Sequence, residues 1–195
     1  MNKIALSLCT VITLSSFSIA DSETISMYGK ADTSSFYVGI GMAATSTRDS
    51  SVSLSFLSEK TGQDRLGNVT LFAGYNLNKY FAVEGRYTTT FTDEDLVEMD
   101  GLSLFAKPQY PIDEQFSLYA LLGYGTVTMD PVNGSDVNVD ESGFQWGLGL
   151  NYEVANNTSI FIDYTSLASE MKGVYYNGAL EVDADQINVG VTYKF

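Results

Sequence analysis

Ile187-Asn188-Val189-Gly190-Val191-Thr192-Tyr193-Lys194-Phe195 closes the chain, and its alternation governs how everything before it is read. Ile187, Val189, Val191, Tyr193 and Phe195 alternate with Asn188, Gly190, Thr192 and Lys194. Successive side chains of an extended backbone point to opposite faces, so this is a strand with one apolar and one polar face. The same period of two recurs upstream. Ile160, Ile162 and Tyr164 oppose Ser159, Asp163 and Thr165, with Phe161 out of pattern. Phe144, Trp146, Leu148, Leu150 and Tyr152 oppose Gln145, Gly147, Gly149, Asn151 and Glu153. Further alternating segments start at Phe116, Leu102, Phe81, Val69 and Phe36. The pattern predicts eight strands of roughly 9–13 residues, near the ~9–11 that cross a bilayer at a tilt.

The connections alternate in length. Leu77-Asn78, Ile112 to Gln115 and Ala155 to Asn157 are short and rich in turn-forming Asn, Pro and Asp. Thr47 to Leu66, Thr92 to Asp100, Met129 to Glu141 and Leu167 to Asp183 are longer and polar. Short turns at one end and long loops at the other describe an up-and-down antiparallel barrel.

Alternation by itself does not say which face is inside. A lipocalin-like barrel has eight antiparallel strands with an apolar interior and a wet exterior. Here the polar face carries mostly Gly, Ser, Thr, Asn and Gln, whereas a water-facing surface is about a quarter or more charged. Small residues suit a narrow lumen. The apolar face is continuous over all eight strands and aromatic at its ends. Tyr75, Phe81, Tyr110, Phe116, Tyr152 and Tyr193 lie near the tight turns, and Tyr87, Tyr124, Phe144 and Trp146 toward the long loops. These are two interfacial girdles. Backbone groups in hydrocarbon must all be paired, which requires closure. The expected fold is therefore all-β, an eight-stranded antiparallel transmembrane β-barrel over residues 35–195.

The N-terminus reads differently. Met1-Asn2-Lys3 is a short basic start, Ile4 to Ile19 is uncharged and apolar or small, and Ser18-Ile19-Ala20 suits a signal peptidase. Residues 1–20 are expected to be a secretory signal cleaved after Ala20. Residues 21–34 are a polar periplasmic lead-in. A lipoprotein signal ending at Cys9 fits poorly, because the apolar run continues past it.

Composition excludes several classes. The chain carries a net charge of −14, and loss of Lys3 makes the mature protein more acidic still, which argues against nucleic-acid binding. The one cysteine lies in the signal, so disulfides do not hold the exported part. There is no histidine, so Ser-His and Asp-His catalysis and His-type metal sites are excluded. No enzymatic activity, cofactor or metal is expected.

With its signal, alternating strands, four long connections and a last strand ending in Phe195, the mature chain resembles the OmpA/OmpX-type small outer-membrane barrels. The resemblance implies residence in the outer membrane of a Gram-negative cell, among lipid and lipopolysaccharide. It also implies that Val191, Tyr193 and Phe195 form the C-terminal signal read by the barrel-assembly machinery. Unlike full-length OmpA proteins, the sequence shows no peptidoglycan-binding domain after the barrel. Lipid A deacylases and palmitoyltransferases among small barrels rely on histidine, which this chain lacks.

Four ionisable residues fall at inward mid-strand positions: Glu84, Arg86, Lys107 and Asp163. Isolated buried charges are costly, so these mixed signs should pair. Two readings stand for them, a structural cluster that fills the lumen or a gate for small ions. Phe72, Phe105, Tyr119, Leu121 and Phe161 also point inward, beside glycines such as Gly39, Gly74 and Gly149. An eight-stranded lumen is only wide enough for side chains, so sugars and peptides should not pass. The connections are acidic at Asp93, Glu94, Asp95, Glu98 and Asp100, around Asp130, Asp136, Asp140 and Glu141, and at Glu181, Asp183 and Asp185. These read as solvated surface charges, alternatively as carboxylates bridged by divalent cations to lipopolysaccharide. The expected role is structural, at the cell surface. An adhesin acting on a host or surface ligand through the loops is the alternative, and a small-ion channel the weaker one.

Overall fold

The computed structural model describes residues 34–51, 53–56, 63–91, 97–131, 139–175 and 178–195. Eight strands follow in order: β1 (Ser35–Asp49), β2 (Gln63–Asn78), β3 (Phe81–Thr90), β4 (Val97–Pro111), β5 (Phe116–Pro131), β6 (Val139–Ala155), β7 (Thr158–Tyr175) and β8 (Gly178–Lys194). Each pairs antiparallel with its sequence neighbours, and β1 pairs with β8, which closes the barrel. Closure leaves no free sheet edge within the belt, the condition for strands in hydrocarbon.

The faces fall as the alternation requires. Leu71, Leu104, Leu122, Leu148, Ile162 and Val189 are exposed on the outer wall, while Thr70, Phe105, Leu121, Gln145, Asp163 and Asn188 are buried in the lumen. On β5 the outward apolar run Phe116 to Tyr124 spans nine residues. At ~3.3 Å per residue and a tilt of ~40° it covers roughly 20 Å, close to the ~25 Å apolar band of such barrels. Aromatic pairs mark both edges of the belt. Phe36 packs edge-on against Tyr75 and Phe116 packs tilted against Tyr152 at the turn end, and Trp146 meets Tyr164 toward the other. The loop-end phenols find polar partners, Tyr87 on Asp100 and Tyr124 on the Ser142 carbonyl. An aromatic body in lipid with a wet tip is the side chain suited to that depth.

Three details depart from expectation. The first tight turn is Lys79-Tyr80 rather than Leu77-Asn78. Asn78 ends β2, and its Oδ1 accepts the Tyr80 N–H at 2.8 Å, a side chain standing in for a turn carbonyl. The second is strand length, 10 residues in β3 but up to 18 in β7. The first, third and fourth segments assigned to long connections are strand at both ends, and the second is strand from Val97 onward. The fourth shrinks most, because β7 and β8 stay paired to Tyr175↔Gly178. Outside the membrane the alternation no longer needs an apolar face, so sequence pattern lost the strands there while backbone pairing continued. The third concerns the last acidic group: Asp183 and Asp185 lie on β8, not in a solvated loop.

Candidate functional site

The lumen is packed in layers, and the middle layer holds all four inward charges. Glu84 and Arg86 are two residues apart on β3, so both face inward, and β4 supplies Lys107 while β7 supplies Asp163. Arg86 Nε donates to Glu84 at 2.6 Å, and its two terminal nitrogens grip Asp163 at 3.1 and 2.8 Å. Lys107 Nζ donates to the other Glu84 oxygen at 2.7 Å. The set comprises two cations and two carboxylates in one chain of ion pairs, with no net charge left over. Glu84 is 0% exposed, so nothing but these partners compensates its charge.

Neutral groups complete the shell. The Tyr37 hydroxyl donates to Glu84 at 2.5 Å and the Tyr119 hydroxyl to Asp163 at 2.8 Å. Asn188 Nδ2 and Thr165 Oγ1 also donate to Asp163. The guanidinium of Arg86 lies between the Phe72 and Phe105 rings, and Lys107 lies over Tyr119 and Tyr37. Aromatic faces attract a desolvated cation, so the rings stabilise the charges as well as filling space. Tyr37 reaches the cluster because Gly74 on β2 carries no Cβ; an added one would run into the Tyr37 ring. Gly149 makes the same room for Tyr119. Tyr37, Tyr119, Thr165 and Asn188 are partners that counting charges could not find. Their inward parity was legible; which atoms they reach was not.

On the loop side of the charges is a hydroxyl and amide layer. Gln186 and Asn188 on β8 bond to Thr70, which contacts Thr88. Asn68 bonds to Thr45 and Thr90. Farther out, Leu66, Met99, Val127, Met129, Leu167 and Ala184 form an apolar cap. Every member has inward parity, but all lie at or beyond the expected ends of the strands, so this cap was not foreseen. Its residues pack together inside the barrel on the loop side of the polar layer.

A second ionic feature sits on the outer wall above the belt, across the β1–β8 seam. Arg48 on β1 pairs with Asp183 at 3.0 Å and with Asp185. Asp185 also accepts from the Tyr164 hydroxyl, and Ser50 donates to Asp183 at 3.0 Å. Asp93, Glu94 and Asp95, and the side chains of Asp130, Asp136, Asp140, Glu141 and Glu181, lie outside the described residues. Among the described residues no three acidic, His or Cys side chains gather as a metal cage.

At the C-terminus, Val191, Tyr193 and Phe195 all face outward, and Tyr193 and Phe195 meet edge-to-face at 5.2 Å. The Phe195 N–H donates to the Phe36 carbonyl of β1, and the Lys194 N–H to the Asn157 carbonyl of the preceding turn. The terminal residues are thus built into the closing seam. Ala20 lies outside the described residues.

A closed eight-stranded barrel with an apolar, aromatic-edged wall and a filled, charge-paired lumen defines the small membrane-spanning barrels of the outer membrane. The chain belongs to the outer membrane protein beta-barrel domain family, whose model matches residues 8–195. It is 32% identical over 110 residues to the virulence membrane protein PagC of Salmonella typhimurium, an alignment covering 52% of this chain and 54% of PagC. The chain thus spans about half the length of that curated relative. Its fold is similar to Ail, the attachment invasion locus protein of Yersinia pestis. Identity is 22%, the TM-score 0.55, and the match covers 83% of this chain and 99% of Ail, which was crystallised with the heparin analogue sucrose octasulfate. It is likewise similar to Neisserial surface protein A, at 20% identity and TM-score 0.56 over 84% of this chain and 99% of that one.

Proposed function

We propose that the protein is a non-enzymatic structural surface component of the Gram-negative outer membrane, acting as a closed stave in the envelope rather than as a conduit. The filled lumen carries this reading. Passage would have to cross a neutralised charge layer packed between aromatic rings and then the apolar cap. Planar-bilayer recordings test it: the barrel should show no unitary conductance, and neither Arg86→Met nor Lys107→Met should create one. Conductance that appears or changes with either substitution would favour the small-ion channel instead, with Glu84, Arg86, Lys107 and Asp163 as its gate.

The route to the membrane belongs to the same proposal. Residues 1–20 are a signal cleaved after Ala20, and the barrel-assembly machinery reads Val191, Tyr193 and Phe195 on a strand that must close against β1. Mass spectrometry of the outer-membrane fraction should find a mature N-terminus at Asp21. The partners in place are outer-membrane lipid and lipopolysaccharide.

A second reading makes the extracellular ends an adhesive surface for a host or neighbouring cell. The β7–β8 hairpin favours it, since it runs well past Trp146↔Ser166, the last pairing of β6 with β7. PagC is described as a virulence protein, which is in keeping. The acidity of this chain disfavours sulfated polyanions of the kind bound to Ail as its ligand. Trimming the first and fourth connections separates the readings: envelope integrity should persist and cell attachment fall only if attachment is the role.

A further inference from the structure

Gln145 lies in the lumen at 0% exposure, and neither its Nε2 nor its Oε1 has a hydrogen-bond partner. Elsewhere in the polar layer the carboxamides of Asn68, Gln186 and Asn188 bond to neighbouring side chains. The topology explains the difference. Gln145 stands one residue beyond Trp146, the last residue of β6 to pair with β7. From Gln145 to Val139, β6 keeps β5 as a partner but has none on its other side among the described pairings. The strand that would offer a side chain to Gln145 has turned away, and its Leu167 goes into the apolar cap instead. On the β5 side, Gly125 carries no side chain, and Ser103 and Gln145 lie where one would stand. The point where a Cβ would stand there is 2.5 Å from Ser103 Oγ and 2.7 Å from each polar atom of Gln145. On the β6 side, the Cβ position of Gly143 has no atom within 4 Å.

Leaving a buried amide without partners is costly, and buried water commonly satisfies such groups in native proteins. The chemistry of the occupant follows from what is missing. Gln145 lacks both an acceptor for its N–H groups and a donor for its oxygen. A cation would satisfy only Oε1 and an anion only Nε2. A small neutral molecule that donates and accepts serves both, and water is the one at hand. We propose that Gln145 and Ser103 form an internal hydration site at the fork between β6 and β7, holding ordered water that enters beside Gly143. The site is separate from the Glu84–Arg86–Asp163–Lys107 cluster, whose acceptors are filled by protein donors.

The test uses the full barrel, ¹⁵N-labelled and refolded in lipid nanodiscs. Rotating-frame Overhauser transfer from water should reach the Gln145 side-chain NH₂, assigned by its loss in Gln145→Leu. It should not reach the Asn188 NH₂, which donates to Asp163. Absence of water transfer at Gln145, or a through-bond coupling from its NH₂ to a protein acceptor, would overturn the proposal. Gln145→Leu gives an independent readout. Its cold-SDS-resistant form should melt at the native temperature or a few degrees above it, because only water loses a partner. A fall of ten degrees or more would mean that a protein partner had been lost, and would also overturn it.

Discussion

Replacing Arg86 with methionine should destabilise the barrel without preventing it from folding, and removing a second charge should restore part of the loss. Methionine keeps the length and the contacts with Phe72 and Phe105 but abolishes the charge. Glu84 would retain Lys107 and Tyr37, whereas Asp163 would keep only the neutral donors Tyr119, Asn188 and Thr165. Breaking a buried pair from one side costs ~3–5 kcal/mol, because a charge is left uncompensated. That is a change of ~10²–10⁴ in the folding equilibrium. In Arg86→Met/Asp163→Asn the remaining Glu84–Lys107 pair is again neutral, so the double variant should recover at least ~2 kcal/mol of the loss. The assay is urea unfolding of barrels refolded into vesicles, read by gel mobility without boiling. With a slope of ~1–3 kcal/mol per molar urea, the single variant's midpoint should drop by more than ~1 M and the double variant's return part-way. A double variant whose loss equals the sum of Arg86→Met and Asp163→Asn would refute the reasoning, since uncoupled residues add.

Three other outcomes follow from the geometry. Leu148→Arg puts a cation on the outer wall at mid-belt, on a side chain 54% exposed there, and should cost ~2–4 kcal/mol in vesicles, while Ser142→Arg above the belt should cost little. Equal tolerance of both, by the same urea assay, would mean that the wall does not face lipid. Gly74→Ala drives the Tyr37 ring off Glu84 and should lower stability by ~1–3 kcal/mol, whereas Gly143→Ala, which meets open space, should stay near native on thermal gel shift. Met99→Asp buries a carboxylate in the apolar cap and should make the extracellular ends sensitive to protease, with the belt still resisting SDS in the cold.

The heat-modifiable gel shift itself, with the unboiled barrel running ahead of the boiled chain, checks the architecture most cheaply. A closed barrel resists SDS because every belt strand is paired on both sides. Its absence in material taken from the membrane fraction would contradict closure.

Period-two alternation determined the number of strands and which side chains share a face, and the small uncharged polar face and the aromatic ends of the apolar one decided which side meets lipid. Each of these depends only on neighbours along the chain and on which side chains hydrocarbon tolerates. The same parity puts Glu84, Arg86, Lys107 and Asp163 on one interior face. Alternation stopped being informative where the strands leave the membrane. Beyond that point neither face is held apolar, so the paired outer ends of β7 and β8 and the cap residues Met99 and Leu167 fall in segments that the pattern assigns to connections. Only the closed barrel's register decided that Arg86 grips Asp163 while Lys107 takes Glu84, that Tyr37 reaches in over Gly74, and that Asp185 meets Arg48. Only the parting of β6 from β7 left Gln145 without a partner. Those are contacts between residues up to 137 positions apart, set by strand stagger around a ring. A sequence carries the parity of each side chain, but the height at which it meets its neighbour comes from the closure of the barrel.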